Sequence, residues 1–150
     1  MIAIDADHDT LERAKIATTA GTRMTFVEGD VMTYPFCENT FDFIAAVATL
    51  HHLPLGPALT RFRNLLKSGG VLGVIGLYRA RTAKDFALAG AALPTSWTMR
   101  RLRDYTDVEA PLQEPKETLN EIRTACEATL LGSTVRRHLL FRYSLVWRKP

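Results

Sequence analysis

The chain has no Gly-x-Gly-x-Gly loop anywhere in its 150 residues, although it holds nine glycines. It therefore lacks the glycine-rich backbone cradle that opens many nucleotide-binding α/β domains. Cysteine is scarce. Cys37 and Cys126 stand far apart, outside any Cys-x-x-Cys pair or Cys/His cluster. That spacing argues against a disulfide framework and a structural zinc site, and it fits a reducing, cytoplasmic setting. No apolar run approaches the 18 residues of a membrane-spanning helix, so no membrane partner is expected. The first residues also read without the charged region, apolar region and cleavage site of a signal peptide. Net charge is only +3, too little to call for a nucleic-acid partner by itself.

What remains is ordinary globular composition, 47% hydrophobic and 23% charged. By length this is one domain, residues 1–150, large enough to bury a core. The first two-thirds alternates strand and helix signals. Met1 to Asp5 reads as a buried strand closed by a carboxylate. Asp9 with Glu12 three residues later resembles a capping box. Leu11, Ala14 and Ala17 then share a helix face, with Gly21 as the stop. Met24 to Glu28 is the next strand, ended by Gly29-Asp30. Phe41 to Ala48 is nearly continuous in apolar residues, which predicts a parallel strand buried on both faces. Leu59, Phe62, Leu65 and Leu66 predict a helix over 57–67, ended by Ser68-Gly69-Gly70. Val71 to Leu77 predicts another buried strand.

The pattern changes after that. Residues 79–115 carry Arg100, Arg101, Arg103, Pro94, Pro111 and Pro115, with no clean strand. They are expected to form a substrate-side cover or an insertion. Leu119, Ile122, Ala125 and Cys126 restore helical spacing. Val135 to Phe141 and Tyr143 to Trp147 then predict a terminal antiparallel hairpin. There is no internal repeat and no low-complexity segment, and nothing in the sequence signals an oligomeric state.

Two carboxylates and two histidines carry the chemistry. Asp5 ends one strand and Asp30 follows the next, the edge at which open α/β sheets bind ligands. Leu50-His51-His52 follows the apolar strand at 41–48. Taken in order, strand–acid, helix, strand–Gly-Asp, strand–Leu-His-His, helix–Gly-Gly, strand and final hairpin resemble the class I S-adenosylmethionine (SAM)-dependent methyltransferases. The resemblance is nearest to the small-molecule group that includes ubiquinone/menaquinone-type C-methyltransferases. It runs from residue 1 to about residue 78 and resumes at the hairpin.

The resemblance implies an α/β fold with a Rossmann-like sheet, mostly parallel, ending in the antiparallel hairpin. It implies SAM as cofactor and assigns Asp5 to the two ribose hydroxyls, a role that suits a group with two acceptor oxygens. Ala6 falls where a side chain packs on adenine. Asp30 falls on the adenine amino group, and the Val31 amide on a ring nitrogen. Ala46 and Val47 fall beside the methionine part, where many relatives carry Ser or Asn. His51 faces the methyl donor, where an imidazole of pKa about 6.5 can orient or deprotonate a nucleophile. His52 is assigned to holding the loop. Two adjacent histidines without a third ligand make a poor metal site.

The sequence also departs from the family. Gly69-Gly70 belongs to a later turn, where relatives often have Pro-Gly-Gly. The first βα unit, with its central strand and glycine loop, has no counterpart here. Its place lies between the strands at 1–5 and 41–48, a gap of about 10 Å at the usual strand spacing. The expected function is methyl transfer from SAM to a small-molecule O, N or C nucleophile, impaired in a form without that unit. Two alternatives stand beside it. One is a nicotinamide-dependent oxidoreductase. The other is a degenerate, non-catalytic binding domain that uses Arg100, Arg101, Arg103, Arg136 and Arg137 on a partner or nucleic acid. The bland account of those arginines is a solvated surface with local ion pairs.

Overall fold

The computed structural model describes residues 1–19, 21–81 and 114–150. They form two compact units, Met1–Phe36 and Cys37–Pro150, and each is taken by itself. Most of the predicted cover at 79–115, with Arg100, Arg101 and Arg103, lies outside the described residues.

The first unit is a strand–helix–strand. β1 (Ile2–Asp5) pairs in parallel with β2 (Thr25–Glu28), from Ile2↔Thr25 to Asp5↔Glu28. The crossover is helix α1 (His8–Ala17), whose Leu11 is buried. Its cap differs from the Asp9/Glu12 box expected from sequence. Asp7 is the N-cap in extended conformation, and its carboxylate accepts from the Thr10 amide at 2.8 Å. Asp9 is already inside the first turn, and Glu12 instead meets Lys15 at 2.6 Å. The helix ends before Gly21: Thr18 is its C-cap and returns its hydroxyl to the Ala14 carbonyl.

The second unit is a four-stranded mixed sheet in the order β3-β4-β6-β5. β3 (Phe41–Val47) and β4 (Leu66–Leu77) are parallel. β6 (Arg142–Arg148) runs antiparallel to β4, and β5 (Thr134–Arg137) antiparallel to β6, giving the expected terminal hairpin. Helices α2 (Leu55–Leu65) and α3 (Leu119–Thr129) pack on each other, and α2 packs on β4. The core joins Leu59, Phe62 and Leu65 of α2 to Ile122 and Cys126 of α3. Leu72 and Val74 of β4 and Tyr143, Leu145 and Trp147 of β6 complete it. A capping box of Thr118 and Glu121 starts α3.

In this second unit two expectations need correction. The helix predicted at 57–67 starts at Leu55 and stops at Leu65. Pro57 therefore sits in the first turn, where a missing N–H costs nothing. Leu66 is extended and pairs with Phe41, so Ser68-Gly69-Gly70 falls within the β4 span, where the register to β3 shifts. Gly69 has φ +77, which a glycine adopts without steric cost.

The other correction concerns burial. Among the described residues of this unit, β3 and β4 are covered on one face only. Phe43 is 61% exposed, Val47 63%, Ile75 48% and Val146 53%. The pairings Val47↔Ile75, Ala45↔Gly73 and Gly73↔Val146 put these side chains on one face. Among the described residues, the buried side chains of α2 and α3 join the other face.

Candidate functional site

In the first unit the acid-bearing strand ends lie side by side. Asp5 is the last residue of β1, and its carbonyl accepts the Gly29 amide at 2.9 Å. Pairing thus brings Asp5 and the Gly29-Asp30 turn to one C-terminal edge. Oδ1 of Asp5 accepts the Asp7 amide at 2.9 Å, and its Oδ2 accepts no hydrogen bond among the described residues. Asp30 is built alike. Oδ1 accepts the Met32 amide at 2.8 Å, a turn of the Asx kind, and Oδ2 is left over. The bland account of Asp30 as a turn residue and the functional one thus use different oxygens of one side chain. Ala6 is exposed beside Asp5, and Val31 is half-buried.

Three further residues in this unit escaped the sequence reading. A Cβ on Gly29 would meet the Tyr34 ring at 3.0 Å, so Tyr34 covers the turn that presents Asp30. The only sequence signal was the aromatic–Pro–aromatic run Tyr34-Pro35-Phe36, whose rings lie 4.5 Å apart. His8 Nδ1 meets Glu28 Oε2 at 2.8 Å, tying the start of α1 to the end of β2. The Glu28 carboxylate holds the His8 imidazole above its ordinary pKa. No local pattern announces a pair twenty residues apart.

In the second unit the remaining assigned residues lie at and just past the C-terminal end of β3. Ala46 is buried with its side chain toward the core, and Val47 points to the open face. Ala48 takes φ +51, an uncommon value for a residue with a side chain, and donates its amide to Ile75 at 2.8 Å. The chain then turns into a 3-10 segment, Leu50–His52. His51 is buried at 7% exposure, and its Nδ1 has no hydrogen-bond partner among the described residues. Its ring lies 4.0 Å from that of His52, which is exposed. Burial first, and the neighbouring His52 second, push the His51 pKa down. Among the described residues no group of side chains could hold a metal ion, and no helix is long and apolar enough to cross a membrane.

This order of elements matches known proteins. A family model described as "Methyltransferase domain" matches residues 1–74. An uncharacterized methyltransferase of Mycobacterium tuberculosis is 30% identical over 154 residues, covering 99% of this chain and 75% of the relative. The chain belongs to the methyltransferases. Family membership implies S-adenosylmethionine as the methyl donor, and the nicotinamide alternative falls away. A sterol 24-C-methyltransferase of Gibberella zeae is 42% identical over 53 residues, 35% of this chain and 14% of that one. The fold is shared with a SAM-dependent methyltransferase of Methanosarcina mazei, with a TM-score of 0.62 at 14% identity over 99% of this chain and 81% of the other. It is also shared with a possible exported protein of Bordetella parapertussis, with a TM-score of 0.66 at 18% identity. There the methyltransferase spans about half of the longer chain, 53%.

Its residues fit the donor's adenosine half in one respect the structure can test. Asp5 and Asp30 each keep a carboxylate oxygen without a hydrogen bond, at the edge where open α/β sheets bind ligands. Of the five arginines named for partner binding, only Arg136 and Arg137 are described. Arg137 lies over the Tyr78 ring at 5.6 Å, an internal cation–π contact, and Arg136 is exposed.

Proposed function

We propose that this methyltransferase holds SAM by its adenosine through Asp5 and Asp30 and transfers the methyl group to a small-molecule nucleophile. One observation carries the reading: both carboxylates stand at one edge of the β1–β2 pair, each with an oxygen left over. Asp5 would accept from the ribose hydroxyls and Asp30 from the adenine amino group, with Ala6 packing on the adenine and the Val31 amide facing a ring nitrogen. Ala46 and Val47 would bound the methionine part through backbone and packing, since neither side chain can hydrogen-bond.

Bound SAM supplies an electrophilic methyl on a sulfonium. The protein's share is then to bind, orient and exclude water, because such a displacement rests on proximity and desolvation. His51 is a buried polar side chain just past the end of β3 and the one assigned to face the acceptor. Residues 79–115 are assigned to acceptor selection. Cys37 and Cys126 are both free thiols, which supports a cytoplasmic setting.

Isothermal titration with SAM tests the adenosine assignment. Losing a hydrogen bond to a charged group costs about 1.5–3 kcal/mol, so Asp5→Ala should weaken SAM binding roughly tenfold or more. Asp30→Ala should weaken it similarly. Thermal stability without ligand should change little, because both residues are exposed or half-exposed. Affinity unchanged from the unsubstituted protein in both Asp5→Ala and Asp30→Ala overturns the assignment.

A further inference from the structure

His51 is held in an unusual position for a general base. The turn that carries it is fixed by His52 N to Thr49 O at 3.0 Å and Leu53 N to Leu50 O at 3.2 Å. Leu50 beside it is fully buried. The turn is thus held by its own backbone and lies against β4 and α2. Nδ1 ends in the protein interior with nothing to bond, whereas Nε2 is not sealed off in this way.

The two nitrogens of a neutral imidazole differ: one carries the proton and the other a lone pair. The proton's place is set by the partner of the inner nitrogen. A histidine that works as a base carries its inner proton on Nδ1, held by a carboxylate or a carbonyl, and turns a bare Nε2 toward the substrate. Among the described residues no acceptor stands at Nδ1. A proton there would be a buried N–H without a partner, the rarer and costlier kind of orphan. A bare lone pair there is the smaller loss. The charged form, with protons on both nitrogens, is disfavoured by burial and by His52.

We propose that His51 carries its proton on Nε2 and donates it as a fixed hydrogen bond to an oxygen of the methyl acceptor, without taking a proton from that acceptor. This rests on the methyl-transfer reading and narrows its acceptor. The substrate presents a carbonyl, ether or already ionised oxygen beside its nucleophilic atom. Any proton the nucleophile sheds passes to water and not to His51.

The protonation state is read from nitrogen NMR of the chain with 15N-labelled histidine, using two-bond proton–nitrogen correlations at neutral pH. The His51 signals are assigned by their loss in His51→Gln. The expected pattern is a neutral ring with the proton on Nε2. A proton on Nδ1, an even mixture or an imidazolium overturns the proposal. Loss of SAM binding would overturn the methyl-transfer reading while leaving this spectrum unchanged, so the two failures are separable.

The role is read from methyl-labelled SAM and a panel of phenolates, β-keto acids and hydroxy acids, each with an oxygen beside its nucleophile. Gln places an amide N–H near the position of Nε2, whereas Asn places it near Nδ1. His51→Gln should keep transfer within about threefold of the unsubstituted protein, and His51→Asn and His51→Ala should lose tenfold or more. Loss of a base costs about 10²–10⁴ in rate, and Gln cannot replace one. His51→Gln falling as far as His51→Ala, or transfer to no panel member, overturns the proposal.

Discussion

Gly76 lies against the Tyr143 ring: a Cβ built on Gly76 would stand 2.5 Å from Cε1 of Tyr143. The two are register partners across β4 and β6, on the buried face of the sheet. Tyr143 is among the largest fully buried side chains, so its ring cannot swing out into water. The glycine is therefore chosen for space.

Gly76→Ala should lose about 1–3 kcal/mol of stability by overpacking, measured by urea denaturation. Adding Tyr143→Leu should restore part of that loss, because the clashing ring is removed. An unchanged midpoint in Gly76→Ala would refute the contact.

Lys149 closes the far end of α2. Its ammonium donates to Asn39 Oδ1 at 2.9 Å, Arg63 O at 2.9 Å and Leu66 O at 2.7 Å. Those carbonyls belong to the end of a helix, where the last carbonyls lack helical partners and the dipole favours a cation. Lys149→Met keeps most of the stem and removes the three donors. It should cost about 1.5–3 kcal/mol, read in the same denaturation experiment. A loss below a few tenths would show that water replaces the ammonium at no cost.

Strand ends and helix faces were legible in the sequence, because they depend on local spacing. Leu119, Ile122 and Cys126 gave α3, and Asp5 and Asp30 fell at the strand ends where spacing put them. The open face was not legible. An apolar run such as Phe43 to Val47 reads alike whether one face or two are covered, and only the helices' placement decides. His51 shows the same limit. Its Leu-His-His sequence marks a turn after a strand, but the burial of Nδ1 depends on tertiary packing around that turn. The Asp7 cap was missed for a narrower reason. Asp7 and Asp9 both suit an N-cap, and backbone geometry at Asp7 chose between them.

The two thiols should separate by reactivity. Cys37 is exposed, whereas Cys126 is buried and its thiol is pushed up to about 11 by burial. An aromatic disulfide reagent should therefore titrate one thiol per native chain promptly and the second only on unfolding. Two prompt equivalents would place Cys126 outside the core.

His8 should titrate above its ordinary value because Glu28 hydrogen-bonds and attracts its charged form. A raised folded pKa means the pair's contribution is fully present below about pH 6.5 and fades as pH rises through the folded value. The pair is exposed, so the effect is small and screened by salt. In Glu28→Gln the His8 midpoint followed by NMR should move down toward 6.5. An unmoved midpoint would mean the contact does not persist in solution.

His51 should show the opposite sign. Its folded pKa lies below its ordinary value because burial, and then His52, disfavour the charged ring. The unfolded chain therefore binds a proton first as pH falls. The stability His51 contributes is present above about pH 6.5 and is lost as pH drops through the folded value. His51→Gln cannot take up that proton. The stability difference between the unsubstituted protein and His51→Gln should be flat above pH 7 and should shift against the unsubstituted protein on acidification. The other histidines are common to both proteins, so the subtraction removes most of their share and leaves His51. A difference flat from pH 7 down to pH 5 would mean that the ring charges as easily folded as unfolded. That result would place the His51 ring in contact with water and remove the reason for keeping its proton on Nε2.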